Sequence, residues 1–152
     1  MTTAQISVTE TAERLAIQEL TARYAFYLDT MQIEPLMDLW VTDGPVFDET
    51  QIGTGFHAGV DAIRSFFLKG VFDQLDAVVH FTMNHILNEL DDTKASGTCA
   101  VLVEGDLKAG GTLRATAYYQ DSYEKVDGSW KFRKRVTIPF TKPQLGSLTI
   151  ES

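Results

Sequence analysis

The spacing of hydrophobic residues predicts a long helix near the start of the chain. A run from Thr9 to about Thr30 contains neither Gly nor Pro, and Ser7 and Glu10 have the spacing of a capping box. Apolar positions at helical spacing form two stripes, one with Ile17, Leu20, Tyr24, Tyr27, Leu28 and Met31, the other with Leu15, Ala22, Phe26 and Asp29. We therefore predict a helix that is packed on two sides.

Shorter elements are predicted between this helix and the middle of the chain. Pro35 has a first-turn position, and the sequence Asp43–Gly44–Pro45 is typical of a helix end. The predicted elements are, in order, a helix from Glu34 through Trp40, a strand from Val46 to Glu49, a Gly-rich loop over residues 53–59 and a helix from Val60 to Lys69. Three helices thus precede most of the strands.

From Val78 onward the hydrophobic period changes to two, which is typical of β-strands. Turn signals divide this region into four predicted strands, over residues 78–90, 95–107, 112–126 and 129–140. On the last strand, Arg135 alternates with Val136 and shares a face with Arg133, which is typical of a solvated basic face. Helices followed by an antiparallel meander predict an α+β fold, with helices covering one face of a curved antiparallel sheet.

Composition and charge narrow the functional classes. The 152 residues are 44% hydrophobic and 22% charged, which is typical of a globular protein, and we expect one domain over residues 1–152. A net charge of −8 disfavours nucleic acids and anionic membranes as partners. Cys99 cannot form an internal disulfide and is expected to be a small buried side chain. The first residues do not resemble a signal peptide, so we expect a cytoplasmic protein.

The stretch VVHFTMNHIL, residues 78–87, carries two of the three histidines. Alternation along a strand places His80 with Thr82 and Asn84 on one face, and His85 with apolar neighbours on the other. Two histidines on opposite faces cannot bind one metal ion, so no metal site is expected. His80 is therefore the candidate for chemistry, whereas His85 is expected to pack.

Asp29 stands at the end of an otherwise apolar helix face, where the helix macrodipole disfavours a negative charge. A histidine hydrogen-bonded to the carboxylate would compensate, and an Asp–His pair in an apolar cavity is a general base. The alternative is that Asp29 caps the loop after the helix and that His80 is a buried structural histidine.

Four segments together resemble one known family. They are AIQELTARYAFYLD at residues 16–29, PLMDLW at 35–40, VVHFTMN at 78–84 and YEKVDGSWKF at 123–132. In this order they resemble the SnoaL-like branch of the nuclear transport factor 2-like superfamily over about residues 10–140. The resemblance implies a cystatin-like roll, in which N-terminal helices close a cone of curved antiparallel sheet.

Within that branch, the chain is most similar to the scytalone dehydratases and hexachlorocyclohexane dehydrochlorinases. Their catalytic pair is an Asp at the end of the first long helix and a His early on the strand after the third helix, which match Asp29 and His80. The resemblance implies elimination without a cofactor, in which His80 removes a C–H proton and Asp29 orients the imidazole. We expect Asn84 to donate a hydrogen bond to the departing group, and Tyr24 and Trp40 to line the cavity.

Two departures from these enzymes bear on the leaving group. Scytalone dehydratases use a further histidine for a hydroxyl leaving group, and LRATAYYQD, residues 113–121, has none, which argues against dehydration of that particular substrate. Dehydrochlorinases use a cation on a late strand, and Arg135 matches that position unless it is solvated.

Three hypotheses follow. The first is a lyase that acts on a small, largely apolar or aromatic molecule and eliminates water, halide or a small carbonyl fragment. The second is an isomerase of the ketosteroid type, with a carboxylate base and an oxyanion hole. The third is a ligand-binding module or the small subunit of a ring-hydroxylating dioxygenase. In each case we expect a homo-oligomer, either a dimer or a trimer, that forms through the outer face of the sheet.

Overall fold

Helices lead the chain in the computed structural model, which describes residues 6–150. Helix α1 spans Val8–Asp29, α2 spans Ile33–Met37, and α3 spans Val60–Ser65 and continues as a π-helical segment, Phe66–Phe72. Ser7 caps α1, because its Oγ accepts a hydrogen bond from the backbone N–H of Glu10 at 3.0 Å. The long first helix is therefore confirmed, but its predicted packing on two sides was wrong, because Leu15 and Phe26 of the second stripe are 63% and 60% exposed.

The strands of the described residues join in one sheet. They are β1 at Val46–Glu49, β2 at Gly55–Ala58, β3 at Leu75–Leu90, β4 at Lys94–Leu107, β5 at Thr112–Val126 and β6 at Ser129–Pro139. Their order in the sheet is β2-β1-β6-β5-β4-β3, with every pair antiparallel except β1 and β6. Helices and a curved, mostly antiparallel sheet confirm the α+β prediction, and the four long strands lie where the period of two placed them.

Two short predictions were wrong. The Gly-rich residues 53–59 are not all loop, because Gly55–Ala58 forms strand β2. This strand pairs with β1 in an antiparallel hairpin across the 3₁₀ turn Thr50–Ile52. Helix α2 ends at Met37 rather than at Trp40, because the backbone there pairs with β6: the N–H of Phe132 donates to the Leu39 carbonyl at 2.8 Å. A local hairpin explains the first difference, and contact with a strand distant in the sequence explains the second.

A β-bulge at Asn84 overturns the prediction that the two histidines face opposite ways. Met83 pairs with Ala100 but Ile86 pairs with Thr98, so β3 holds one residue more than β4 at this point. Asn84 takes the left-handed conformation, with φ of 54°. Beyond it the faces exchange, and His85 turns inward to place its Nε2 3.1 Å from the hydroxyl of Tyr123.

The bulge also changes which apolar side chains of β3 face outward. Phe81 and Met83 are 53% and 43% exposed, whereas Leu87 packs partly buried against the core. The continuous apolar face that alternation predicted from Val79 to Leu87 is therefore divided between the outside and the inside of the sheet.

A second bulge, at Arg133, corrects the prediction for the last strand. Tyr123 pairs with Phe132 while Ser122 pairs with Lys134, so Arg133 is the extra residue of β6. The side chain of Arg135 consequently joins Phe132 on the inner face and is 0% exposed. The expectation of a solvated Arg135 was wrong.

The core lies between the helices and the inner face of the sheet. Aromatic side chains dominate it, with Tyr24 of α1 in edge contact with its neighbours at ring-centroid distances of 5.6–6.5 Å. Cys99 is buried in the same cluster, as expected for a small hydrophobic side chain. Among the described residues, no helix is long and apolar enough to cross a membrane.

Candidate active site

The C-terminus of α1 and the first half of β3 meet at Asp29 and His80. The Asp29 Oδ1 lies 2.6 Å from the His80 Nδ1, and its Oδ2 accepts a hydrogen bond from the backbone N–H of His80 at 2.9 Å. The carboxylate therefore contacts His80 at two points, one on the imidazole ring and one on the backbone. The side chains are 7% exposed for His80 and 18% for Asp29.

This contact fixes what the imidazole can do. When Nδ1–H donates to Asp29, the lone pair of the neutral ring resides on Nε2. Within residues 6–150, no hydrogen bond to that Nε2 is present. The two N–H donors of His80 also offset the unfavourable position of Asp29 at the end of the helix dipole. The arrangement is that of a base whose protonated form is stabilised by a carboxylate.

His80 lines a cavity of about 80 Å³ between the helices and the sheet. Most of its walls are apolar, and they include Leu28, Phe47, Phe67, Val78, Val101, Leu113, Leu145 and Leu148. An apolar cavity of about 150 Å³ accepts a benzene molecule. A ring-sized ligand therefore requires some wall side chains of this protein to move outward.

Two tyrosines are the neutral hydroxyl donors of the cavity. Tyr24 and Tyr119 both line it, and the ring centroid of Tyr24 lies 6.4 Å from that of His80. Burial raises the pKa of both hydroxyls above the usual range, so both stay protonated. Tyr24 thus lies where it was expected, in the cavity wall.

Glu49 is a polar wall residue that the sequence analysis missed. It is 8% exposed, and its Oε2 and Oε1 accept hydrogen bonds from the hydroxyls of Thr54 and Thr137 at 2.7 and 3.1 Å. Glu49, Thr54 and Thr137 all line the cavity. The signal was present, since Glu49 follows Phe47 by two positions on a short strand and alternation places both on the inner face.

Arg135 lies behind the cavity wall. Its Nε and Nη2 bind both oxygens of Asp121 at 2.8 Å, and its guanidinium packs 3.8 Å from the ring centroid of Tyr119 and 4.3 Å from that of Tyr24. Asp121 also accepts a hydrogen bond from Tyr123, which contacts His85. This buried chain supports the tyrosines of the wall from the far side.

Two other expected site residues lie elsewhere. Asn84 forms the bulge of β3 and is exposed, so it cannot share the inner face with His80. Trp40 is 1% exposed and packs against Phe132 in the core, outside the residues that line the cavity. Within residues 6–150, no cluster of three or more His, Cys, Asp or Glu side chains is placed to hold a metal ion.

Comparison with known families places this site in context. Residues 9–136 match the model of the SnoaL-like domain. The chain belongs to the SnoaL-like domain family. This family lies within the nuclear transport factor 2-like superfamily, and its architecture is the one described above.

Individual SnoaL-like relatives include enzymes. The chain is 29% identical over 125 residues to a gamma-hexachlorocyclohexane dehydrochlorinase of Sphingobium indicum, covering 82% of this chain and 78% of the relative. A dehydrochlorinase structure from Novosphingobium barchaimii has a TM-score of 0.76 at 25% identity, covering 93% and 97% of the two chains. A proposed aromatic ring hydroxylase from Novosphingobium aromaticivorans has a TM-score of 0.84 at 26% identity, covering 90% and 94%.

Proposed function

We propose that this SnoaL-like protein is a cofactor-independent lyase in which His80 is the base. The observation that carries the proposal is the hydrogen-bonded Asp29–His80 pair, whose free Nε2 belongs to an imidazole that lines an apolar cavity. The similarity to dehydrochlorinases, which are eliminating enzymes by name, agrees with it.

The reaction begins with a substrate whose acidic C–H bond points at Nε2 of His80. The imidazole takes the proton, the C–H electron pair forms a carbon–carbon double bond, and the leaving group departs from the adjacent carbon. Asp29 stabilises the imidazolium that results. A positioned base contributes about 10²–10⁴-fold to the rate, and the remaining acceleration comes from orientation in the closed cavity.

The cavity restricts the substrate class to small, largely apolar molecules. Its walls offer few polar contacts, so a charged substrate would lose its hydration without compensation. Tyr24 and Tyr119 can each donate a hydrogen bond to a carbonyl oxygen, which would make the neighbouring C–H bond more acidic.

The test is a turnover screen with a mutational control. We would incubate the protein with small halogenated cyclohexanes, β-chloro ketones and β-hydroxy ketones, and follow alkene formation by mass spectrometry and ultraviolet absorbance. His80→Ala should reduce turnover by about 10³-fold or more. His85→Gln keeps a partner for Tyr123 and lies outside the cavity, so its turnover should remain near that of the wild type.

The outcomes separate the lyase from other functions. Turnover that survives His80→Ala, or a panel without any turnover by the wild type, would contradict the proposal. An isomerase is the second candidate, because Glu49 is another acid–base group in the same cavity and could return the proton to a different carbon. A product with the mass of the substrate and a shifted double bond would identify it.

A further inference from the structure

Glu49 and His80 reach one cavity from opposite regions of the sheet. Glu49 lies on β1, next to the edge strand β2, and His80 lies on the other edge strand, β3. Strands β6, β5 and β4 separate them in the hydrogen-bonded order. Both side chains nevertheless line the same cavity, because the sheet curves around it. A substrate there has an imidazole on one wall and a carboxyl group on another.

The surroundings of Glu49 hold a proton on its carboxyl group. Burial raises its pKa to about 7, against the opposing effects of the Thr54 and Thr137 hydroxyls and of Arg135, while the Asp48 carboxylate raises it further. The hydroxyls of Tyr24 and Tyr119, which line the same cavity, are neutral near pH 7. Near neutral pH a large fraction of the molecules therefore carries an acid proton in an otherwise apolar cavity.

We propose that Glu49 is the general acid of the site, which donates its proton to a leaving hydroxyl group, so that the substrate is a small β-hydroxy compound. This inference rests on the proposed lyase function and specifies its leaving group. His80 takes the C–H proton, the C–H electron pair forms the double bond, and the C–O bond breaks. The oxygen leaves with the Glu49 proton as water. Solvent then returns a proton to Glu49 and removes one from His80.

The nature of the leaving group explains why this acid favours dehydration. Chloride departs as a stable anion and needs no proton, whereas hydroxide is a strong base that departs readily only when it is protonated in the transition state. A buried acid within the cavity has no such role in the loss of chloride. Of the two eliminations, only the loss of an oxygen leaving group uses this acid.

A matched pair of probes tests this inference. β-Hydroxycyclohexanone and β-chlorocyclohexanone yield the same product, cyclohexenone, so one absorbance assay follows both. Glu49→Gln keeps the size of the side chain and its acceptor oxygen but has no proton of comparable acidity. It should slow water elimination by about 10²-fold or more and leave chloride elimination near the wild-type rate. Glu104→Gln is the matched control, because that carboxyl group is half exposed, pairs with Arg114 and lies outside the cavity.

The outcomes distinguish this inference from the proposed function. If His80→Ala abolishes chloride elimination while Glu49→Gln leaves water elimination unchanged or slows both reactions equally, the lyase stands and the role of Glu49 is wrong. Absence of turnover of both ketones would contradict both. Carbon-13 NMR of labelled glutamate provides an independent criterion: a Glu49 carboxyl that titrates near the ordinary value of 4.5 would overturn the inference, because it has no proton to give at neutral pH.

Discussion

At the scale of single residues, two carboxyl groups near the cavity, those of Asp29 and Glu49, differ in how well hydrogen bonds compensate their negative charge. Asp29 is only partly buried, and two hydrogen bonds from His80 offset the unfavourable position of its charge at a helix C-terminus. Glu49 is buried, and the hydroxyls of Thr54 and Thr137 do not fully replace the water it loses. One carboxylate therefore orients an imidazole, while burial raises the pKa of the other carboxyl group.

The raised pKa of Glu49 makes stability depend on pH. The folded protein keeps this proton up to about pH 7, whereas the unfolded chain releases it near 4.5. Because the native state binds more protons in this window, its stability falls as the pH rises. Between about pH 5 and about pH 8, the wild type should lose about 2 kcal/mol relative to Glu49→Gln, measured by urea unfolding. If the unfolding free energies of the two proteins changed with pH in parallel, Glu49 would have the same pKa, near 4.5, in the folded and unfolded states.

Residues near the site differ in how far the sequence could reveal them. Asp29 was conspicuous because a charge ended an apolar helix face, and His80 because its neighbours on the strand were polar. Glu49 escaped because a strand of four residues is too short to establish a period, although Phe47 already marked its inner face. Burial of a carboxyl group depends on side chains from distant strands, which no local pattern contains.

At the scale of secondary-structure elements, bulges determine which side chains face the inside of the sheet. The sequence predicted the bounds of the four long strands to within three residues, since turn residues and a period of two are local signals. It could not predict the extra residues at Asn84 and Arg133, because a bulge depends on the partner strand. Each bulge reversed the predicted face of the residues beyond it, and both His85 and Arg135 turned inward as a result.

The conformation of Asn84 can be tested directly. Its φ of 54° suits glycine and asparagine but strains a β-branched residue. Asn84→Gly should therefore leave stability nearly unchanged, whereas Asn84→Val should cost about 1–2 kcal/mol in urea unfolding. The side chain is exposed, so lost packing cannot account for the difference. Equal stability of the two variants would mean that the bulge does not fix this φ.

At the scale of the whole molecule, the C-terminal segment completes the cavity. Leu145 and Leu148 line it, although no sequence pattern indicated where this segment lies. The backbone of Gln144 exchanges two hydrogen bonds with Arg114, and the side chain of Gln74 binds the backbone of Thr149 on both its N–H and its carbonyl. The segment is thus attached on each side of the two leucines, which form part of the cavity wall.

A methyl group added at Gly146 is expected to displace the C-terminal segment from the cavity wall. A Cβ at Gly146 would lie 2.5 Å from the Leu107 Cδ1 and 2.9 Å from the Thr112 carbonyl oxygen, so Gly146→Ala must push the segment outward. Gly110→Ala is the matched control, because it also has positive φ but would meet nothing within 4 Å. Amide hydrogen exchange over residues 143–150 should accelerate about tenfold in Gly146→Ala and stay unchanged in Gly110→Ala. Equal exchange in both variants would show that the contacts with Leu107 and Thr112 do not displace this segment.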